Sequence, residues 1–272
     1  MKKFYCYLFL CLSVLWVYGC GESIYESAGD RKAKEAQQDA LDFDFINGNY
    51  GKIVDYYNSI DNTAKSLNDR ETYMFLNSLL GLGGFNVLNG LDAFTNNQNG
   101  SASPDVYSSA GAMIGISNIS KEELKVKTSI FNQAVVICNN KGGRDMQGNL
   151  VITDENIASL CKFTGLIGTT MNVSGIISNL TTNNSLEISQ QGFQKALSNV
   201  DISQNIDSIL TQEALDLMTD TVNCVLIQND KLNGVIGDTS SMIDEYKMQL
   251  MDNNKVSKEK LKNLILKFQT SK

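Results

Sequence analysis

The chain of 272 residues contains no histidine. That absence excludes Ser-His-Asp and Cys-His catalysis, histidine metal ligation and a histidine pH switch. Proline is nearly missing as well: Pro104 is the only one, so the commonest helix breaker acts at a single place. The one tryptophan is Trp16. Basic residues number 23 against 30 acidic ones, for a formal charge of −7 and a pI near 4.7. A broad nucleic-acid surface is excluded with them, because neutralising phosphates takes clustered Lys and Arg. The GxSxG, P-loop, GxGxxG and HExxH patterns are also absent. What is present is 42% hydrophobic and 19% charged residues, the composition of a packed protein, together with six cysteines.

Residues 1–20 read MKKFYCYLFLCLSVLWVYGC. Lys2 and Lys3 form a positive start, followed by an uncharged, mostly apolar run from Phe4 to Tyr18 that has the form of a signal h-region. Gly19-Cys20-Gly21-Glu22 ends the run short of the roughly 20 apolar residues that a spanning helix needs. The junction Val17-Tyr18-Gly19-Cys20 resembles a bacterial lipobox, in which the chain is cut before a cysteine whose thiol carries lipid. Gly19 is the small residue before the cut, while Tyr18 stands where the pattern usually has a small one. The resemblance implies a lipoprotein signal peptide over 1–19, lipidation at Cys20 and a lipidated tether over 20–32. It implies a protein held on a membrane of the bacterial cell envelope through its lipid. Gly21, in place of an aspartate after the cysteine, points to the outer membrane of a Gram-negative cell.

Cys6 and Cys11 fall in the signal, which leaves Cys138, Cys161 and Cys224 for the folded part. Three scattered cysteines without a CxxC pair or a histidine do not make a zinc site, and no cofactor is expected. Cys138 ends the apolar stretch that starts at Phe131, Cys161 opens the next one, and the polar segment Asn139–Asn149 lies between. A Cys138–Cys161 disulfide is therefore the candidate bridge across a helix connection, in keeping with an oxidising compartment. Three buried free thiols are the alternative.

The remaining pattern is helical. Ala33–Asn47 carries apolar residues at mostly helical spacing, and Ile53, Tyr56, Tyr57 and Ile60 repeat i, i+3, i+4, i+7. Asn68 or Asp69, Ser120 with Glu123, Asp154, Thr211 and Ser257 stand where helix caps belong, each ahead of an apolar periodic run. The final run places Leu261, Leu264, Ile265 and Phe268 on one face, with lysines around it. Gly148–Thr153 is the one strand signal. The turn-rich loops Asn96–Asp105 and Asn139–Asn149 are too short for interdomain linkers, so residues 33–272 read as a single all-helical domain. The expected fold class is all-α, a helical bundle or short irregular α-solenoid.

A weak repeat occurs near the amino terminus. At an offset of 35 residues, Gly48 matches Gly83, Tyr50 matches Phe85, Leu41 matches Leu76, Phe45 matches Leu80 and Ile53 matches Leu88. The stretch Ala40–Ile60, ALDFDFINGNYGKIVDYYNSI, resembles a tetratricopeptide (TPR) repeat, whose period is about 34 residues. Gly48 and Tyr50 take the positions of the family's turn glycine and following aromatic, and Tyr57 the aromatic late in the second helix. Ile53 stands where the family usually has alanine. The resemblance covers residues 33–95 and implies TPR-like helix pairs there, with a scaffolding or partner-binding role.

Two stretches lack charge, one between Glu71 and Asp92 and one between Lys162 and Glu187. Both contain polar residues and glycines, and neither has about 18 consecutive apolar residues, so burial inside a bundle is expected rather than membrane insertion. Gly81 with Gly84, and Gly165 with Gly168, are candidates for close helix crossings. Acidic pairs such as Glu122-Glu123 and Asp154-Glu155 sit at helix starts, where the macrodipole accounts for them. With no catalytic residue or metal site in view, the expectation is a non-enzymatic lipoprotein that binds a protein or peptide partner. Tyr50, Tyr56 and Tyr57 are the candidate contact residues. The alternative is a small-molecule or lipid capture component serving a transporter. Inhibiting lipoprotein signal peptidase in cells is expected to accumulate a slower-migrating precursor; unchanged migration would refute the lipobox assignment.

Overall fold

The computed structural model of the chain describes residues 24–86, 88, 105–227 and 247–270. The lipobox with Cys20, the signal peptide, the loop carrying Pro104 and the last part of the second TPR-like pair lie outside these residues. Met1–Asn47 and Gly48–Lys272 form two separate compact units. The division thus falls at Gly48, whose backbone is left-handed (φ 71°), within the segment that sequence alone reads as one domain. In the first unit α1 spans Ile24–Ile46, starting well ahead of Ala33, because residues 24–32 include the helix formers Glu26, Ala28, Arg31 and Lys32. Its apolar residues Phe43 and Ile46 are exposed.

The second unit is an all-α bundle. It opens with α2 (Tyr50–Asp61) and α3 (Asp69–Leu82), which pack on each other. Asn68 starts α3 with a complete capping box: its side chain accepts from Glu71 N at 3.0 Å, and Glu71 accepts from Asn68 N at 2.9 Å. The loop before it is held by Asp61, whose carboxylate accepts from the backbone and hydroxyl groups of both Thr63 and Ser66. Next come α4 (Val106–Met113), α5 (Lys121–Lys141) and α6 (Glu155–Leu180). Ser120 caps α5, and Asp154 caps α6 by accepting from Asn156 N and Ile157 N. Then follow α7 (Gln190–Leu197), α8 (Ile202–Ile209), α9 (Gln212–Val225, capped by Thr211) and α10 (Lys258–Thr270).

α6 is the centre of this unit. It packs against α3, α4, α5, α7, α8 and α9, and apolar and hydroxyl side chains are buried around its whole circumference. Its crossing with α9 is close because Gly165 has no side chain: a Cβ there would lie 2.5 Å from Val225 N and 2.9 Å from Thr221 O. A Cβ at Gly168, one turn on, would meet Thr221 Cγ2 at 3.0 Å. No helix among the described residues is long and apolar enough to cross a membrane. Farther from α6, a cluster of Tyr107, Phe193 and Phe268, with centroids 5.1–5.4 Å apart, ties α4, α7 and α10 together. Three of the four lysines of α10 are held by carboxylates, Lys258 and Lys262 by Asp207 and Lys260 by Asp252.

Among the described residues three small antiparallel ribbons decorate the bundle. Asn118–Ser120 (β1) pairs with Ser185–Glu187 (β4), Gly143–Arg144 (β2) with Leu150–Val151 (β3), and Met251–Asp252 (β5) with Lys255–Val256 (β6). Only β3 falls in the predicted strand signal. The helix α5 also runs through Lys141, so the first residues of the expected Asn139–Asn149 loop are helical.

The repeat register is only partly kept. Leu76, Leu80 and Ile53 are buried, but Leu88, the partner of Ile53 at the offset, is 69% exposed. The left-handed glycine of the second turn is Gly84 (φ 92°), one place beyond Gly83. Gly165→Ala is expected to lower the free energy of unfolding by about 2 kcal/mol through overpacking at the α6–α9 crossing. Urea unfolding measures this, and an unchanged midpoint would contradict the crossing geometry.

Candidate functional site

α5 and α6 run antiparallel. At one end Cys138 and Cys161 are joined in a disulfide with Cα atoms 5.6 Å apart. In the middle Asn172 Nδ2 donates to Asn132 Oδ1 at 3.1 Å, and at the far end Lys121 Nζ donates to Ser178 O at 3.1 Å. Ser178 O is one of the terminal helix carbonyls without an intrahelical partner, so the ammonium both satisfies it and complements the negative end of the helix. The bridge closes a 23-residue separation, contributing about 3 kcal/mol by restricting the unfolded chain. The two helices are therefore stapled at the disulfide end.

Away from the staple they part into a groove of about 560 Å³. Its walls carry Lys121, Glu122, Lys125, Ser129 and Asn132 from α5, and Ser178 and Asn179 from α6; Leu124, Thr128 and Gly175 complete the lining. The hydroxyl of Thr128 is buried and has no hydrogen-bond partner among the described residues. A smaller groove of about 300 Å³ lies by the β1–β4 ribbon, lined by Asn118, Asn183, Asn184 and Lys195 among others. Lys121 N donates to Asn184 O, so the two grooves share one end of α5.

The tyrosines singled out from the sequence do not assemble into a contact surface. Tyr57 is buried: its ring stacks on Phe75 at 5.3 Å, and its hydroxyl donates to Met74 Sδ at 3.5 Å. It offers nothing to a partner, because it lies one helical turn beyond Ile53 on the face that α2 turns to α3. Tyr50 is half-buried with its ring against Gly81, where any Cβ would collide with it. Tyr56 is half-buried and meets Tyr57 edge-on. Cys20 lies outside the described residues. The groove residues went unseen in sequence. A helical lysine pair one turn apart, Lys121 and Lys125, and a glycine within a long buried helix were the only signals they left.

Among the described residues the buried titratable side chains include Cys224 and Lys162. Cys224 is a free thiol, fully buried, and burial pushes its pKa far up, so it is neither a nucleophile nor a ready redox partner. Asn139 Nδ2 lies 3.6 Å from its sulfur and is itself held by Arg144, which donates to Asn139 Oδ1 at 2.9 Å. Asp220, raised by desolvation, lies 3.9 Å from the same guanidinium. Among the described residues no three His, Cys, Asp or Glu side chains gather as a metal site would require. Lys162 on α6 is 1% exposed, and burial holds its pKa below the ordinary value.

No protein-family model, curated protein or solved structure matches this chain.

The depressed pKa of Lys162 makes the unfolded chain bind more protons than the folded one between the folded pKa and 10.5. Unfolding free energy is therefore expected to rise with pH as the pH climbs through the folded pKa toward 10.5, and Lys162→Met is expected to flatten that rise. Urea titrations of both proteins at a series of alkaline pH values measure it; identical slopes would refute the assignment.

Proposed function

We propose that the chain is a lipid-anchored protein of a bacterial envelope that holds a protein or peptide partner and carries out no reaction of its own. The observation that carries this reading is the Cys138–Cys161 bridge between two core helices. Structural disulfides persist in oxidising compartments and are rare in reducing ones, which supports the export implied by the lipobox-like junction at Cys20. More than one acyl chain on that cysteine suffices for stable anchoring, with no spanning helix required. The outer membrane follows from Gly21 on the same resemblance.

The binding part of the proposal rests on the α5–α6 groove, which is lined by amides, hydroxyls, two ammonium groups, the Glu122 carboxylate and the Leu124 side chain. The α2–α3 pair, with the Tyr50 ring set on Gly81, supports a TPR-like scaffold on the amino-terminal side of the bundle. A lipid-capture role calls for an enclosed apolar cavity, and the α5–α6 groove is open and polar-rimmed, which favours the partner-binding reading. Crosslinking in native envelopes tests it. A specific neighbour is expected with the wild-type chain, and its yield is expected to fall at least tenfold with Cys20→Ala, which should also leave the membrane fraction. Recovery of no specific neighbour, or membrane retention of Cys20→Ala, would overturn the reading.

A further inference from the structure

The disulfide and the third thiol of the folded part share one corner of the bundle. The Cys138–Cys161 bridge joins α5 to α6, and α9 packs on both helices. Gly165 stands one helical turn after Cys161 on the same face of α6, about 6 Å along the axis. A Cβ on Gly165 would lie 2.9 Å from the Cys224 carbonyl carbon. On the α5 side, Asn139 follows Cys138 and brings its Nδ2 to 3.6 Å from Cys224 Sγ. Cys224, which is 0% exposed, is thus held between close neighbours of both bridged cysteines.

A thiol beside a disulfide has a reaction open to it that consumes neither oxidant nor reductant. The Cys224 thiolate attacks Cys161 Sγ, the Cys161–Cys224 bond forms and the Cys138–Cys161 bond breaks. The electron pair leaves on Cys138 Sγ, which takes up the proton that Cys224 gave up. One disulfide and one thiol remain, but the bridge has moved from α5–α6 to α6–α9. Two features of the docked bundle forbid the step. The thiol must first lose its proton, which a sulfur sealed from water does not do readily. It must also reach Cys161 in line with the existing bond, while the close crossing at Gly165 fixes the α9 backbone against α6. Lifting the last turn of α9 removes both obstacles at once. On the outside that turn is tied by Arg144 and Asp220, 3.9 Å apart with side chains 42% and 47% exposed, and such pairs contribute little to stability.

We propose that α9 is a latch on the disulfide. Docked, it shuts Cys224 away and keeps the bridge on α5–α6. Lifted, it lets Cys224 capture Cys161, which moves the staple to α6–α9 and releases the closed end of the α5–α6 pair. The latch is independent of the partner reading and of the lipid anchor.

The test uses the full chain in detergent micelles at mildly alkaline pH. Pulsed iodoacetamide reads the accessibility of Cys224, and non-reducing peptide mapping assigns each bridge to its pair. Wild type is expected to keep the Cys138–Cys161 bridge and to alkylate slowly at Cys224. Gly165→Ala, which presses α9 away, is expected to alkylate at Cys224 at least tenfold faster. Without iodoacetamide it is expected to accumulate the Cys161–Cys224 peptide, with Cys138 becoming the free thiol. Adding Cys224→Ser to that variant is expected to restore the wild-type bridge. Gly192→Ala presses on the Glu187 carbonyl instead, away from α9, and is expected to leave the bridge in place. Wild type in urea below its unfolding midpoint supplies a second arm that needs no substitution, with the moved bridge rising in step with Cys224 alkylation. Faster alkylation with the bridge unmoved, a wild-type alkylation rate in a folded Gly165→Ala, or equal movement in Gly192→Ala would overturn the proposal. A bridge from Cys161 to any other cysteine would overturn it as well.

Discussion

The second unit depends on covering α6. A helix of 26 residues with buried side chains on every face is unstable in water by itself, and most of its stability comes from the helices laid against it. Among the described residues six other helices pack on it, and two glycines let one of them approach to backbone contact. The same demand explains the hydroxyls inside. Thr164 returns its hydroxyl to the Leu160 carbonyl, so a buried threonine adds no unsatisfied donor. Thr169, Thr170 and Ser174 of the same helix keep buried hydroxyls without a hydrogen-bond partner among the described residues, and Lys162 adds a buried amine whose pKa burial lowers.

Rigidity and openness sit at opposite ends of the α5–α6 pair. The disulfide and the β2–β3 ribbon close one end, and the Asn139 network with Arg144 and Asp220 backs it. The polar links farther along α6 are the Asn132–Asn172 pair midway and, about 26 Å from Cys161 at 1.5 Å per residue, Lys121 on the Ser178 carbonyl. Polar contacts of that kind set the spacing without filling the gap, and the groove is what is left between them. A binding surface supported by a stapled helix pair keeps its geometry when empty, which lowers the entropic cost of taking up a ligand.

Much of the helical architecture was legible because its signals are local. Asn68, Ser120, Asp154 and Thr211 each accept from backbone donors two or three residues ahead, and such caps depend only on neighbours in sequence. The apolar face of α10 was readable for the same reason. Tyr57 illustrates the limit. Its spacing from Ile53 identified a shared face, but periodicity does not say whether that face meets a neighbouring helix or a partner. Here α3 covers it, and Phe75 occupies the place a partner's side chain would have taken. The ribbon β1–β4 was invisible because its three-residue strands pair across α5 and α6, and only Ile119 and Leu186 show alternation.

The sequence by itself determined that the chain is helical, that histidine chemistry is closed to it, and which residues begin its helices, since composition and short-range hydrogen bonding decide those matters. It also singled out the pair of cysteines that meet, through their position on either side of one connection. Only the tertiary structure decided which of the glycines are there for close packing and which leaves a groove open. At Gly165 the deciding atoms belong to α9, far along the chain, and at Gly175 what decides is the absence of any such atom. Whether space beside a residue is filled depends on contacts between distant segments, and no local pattern encodes it.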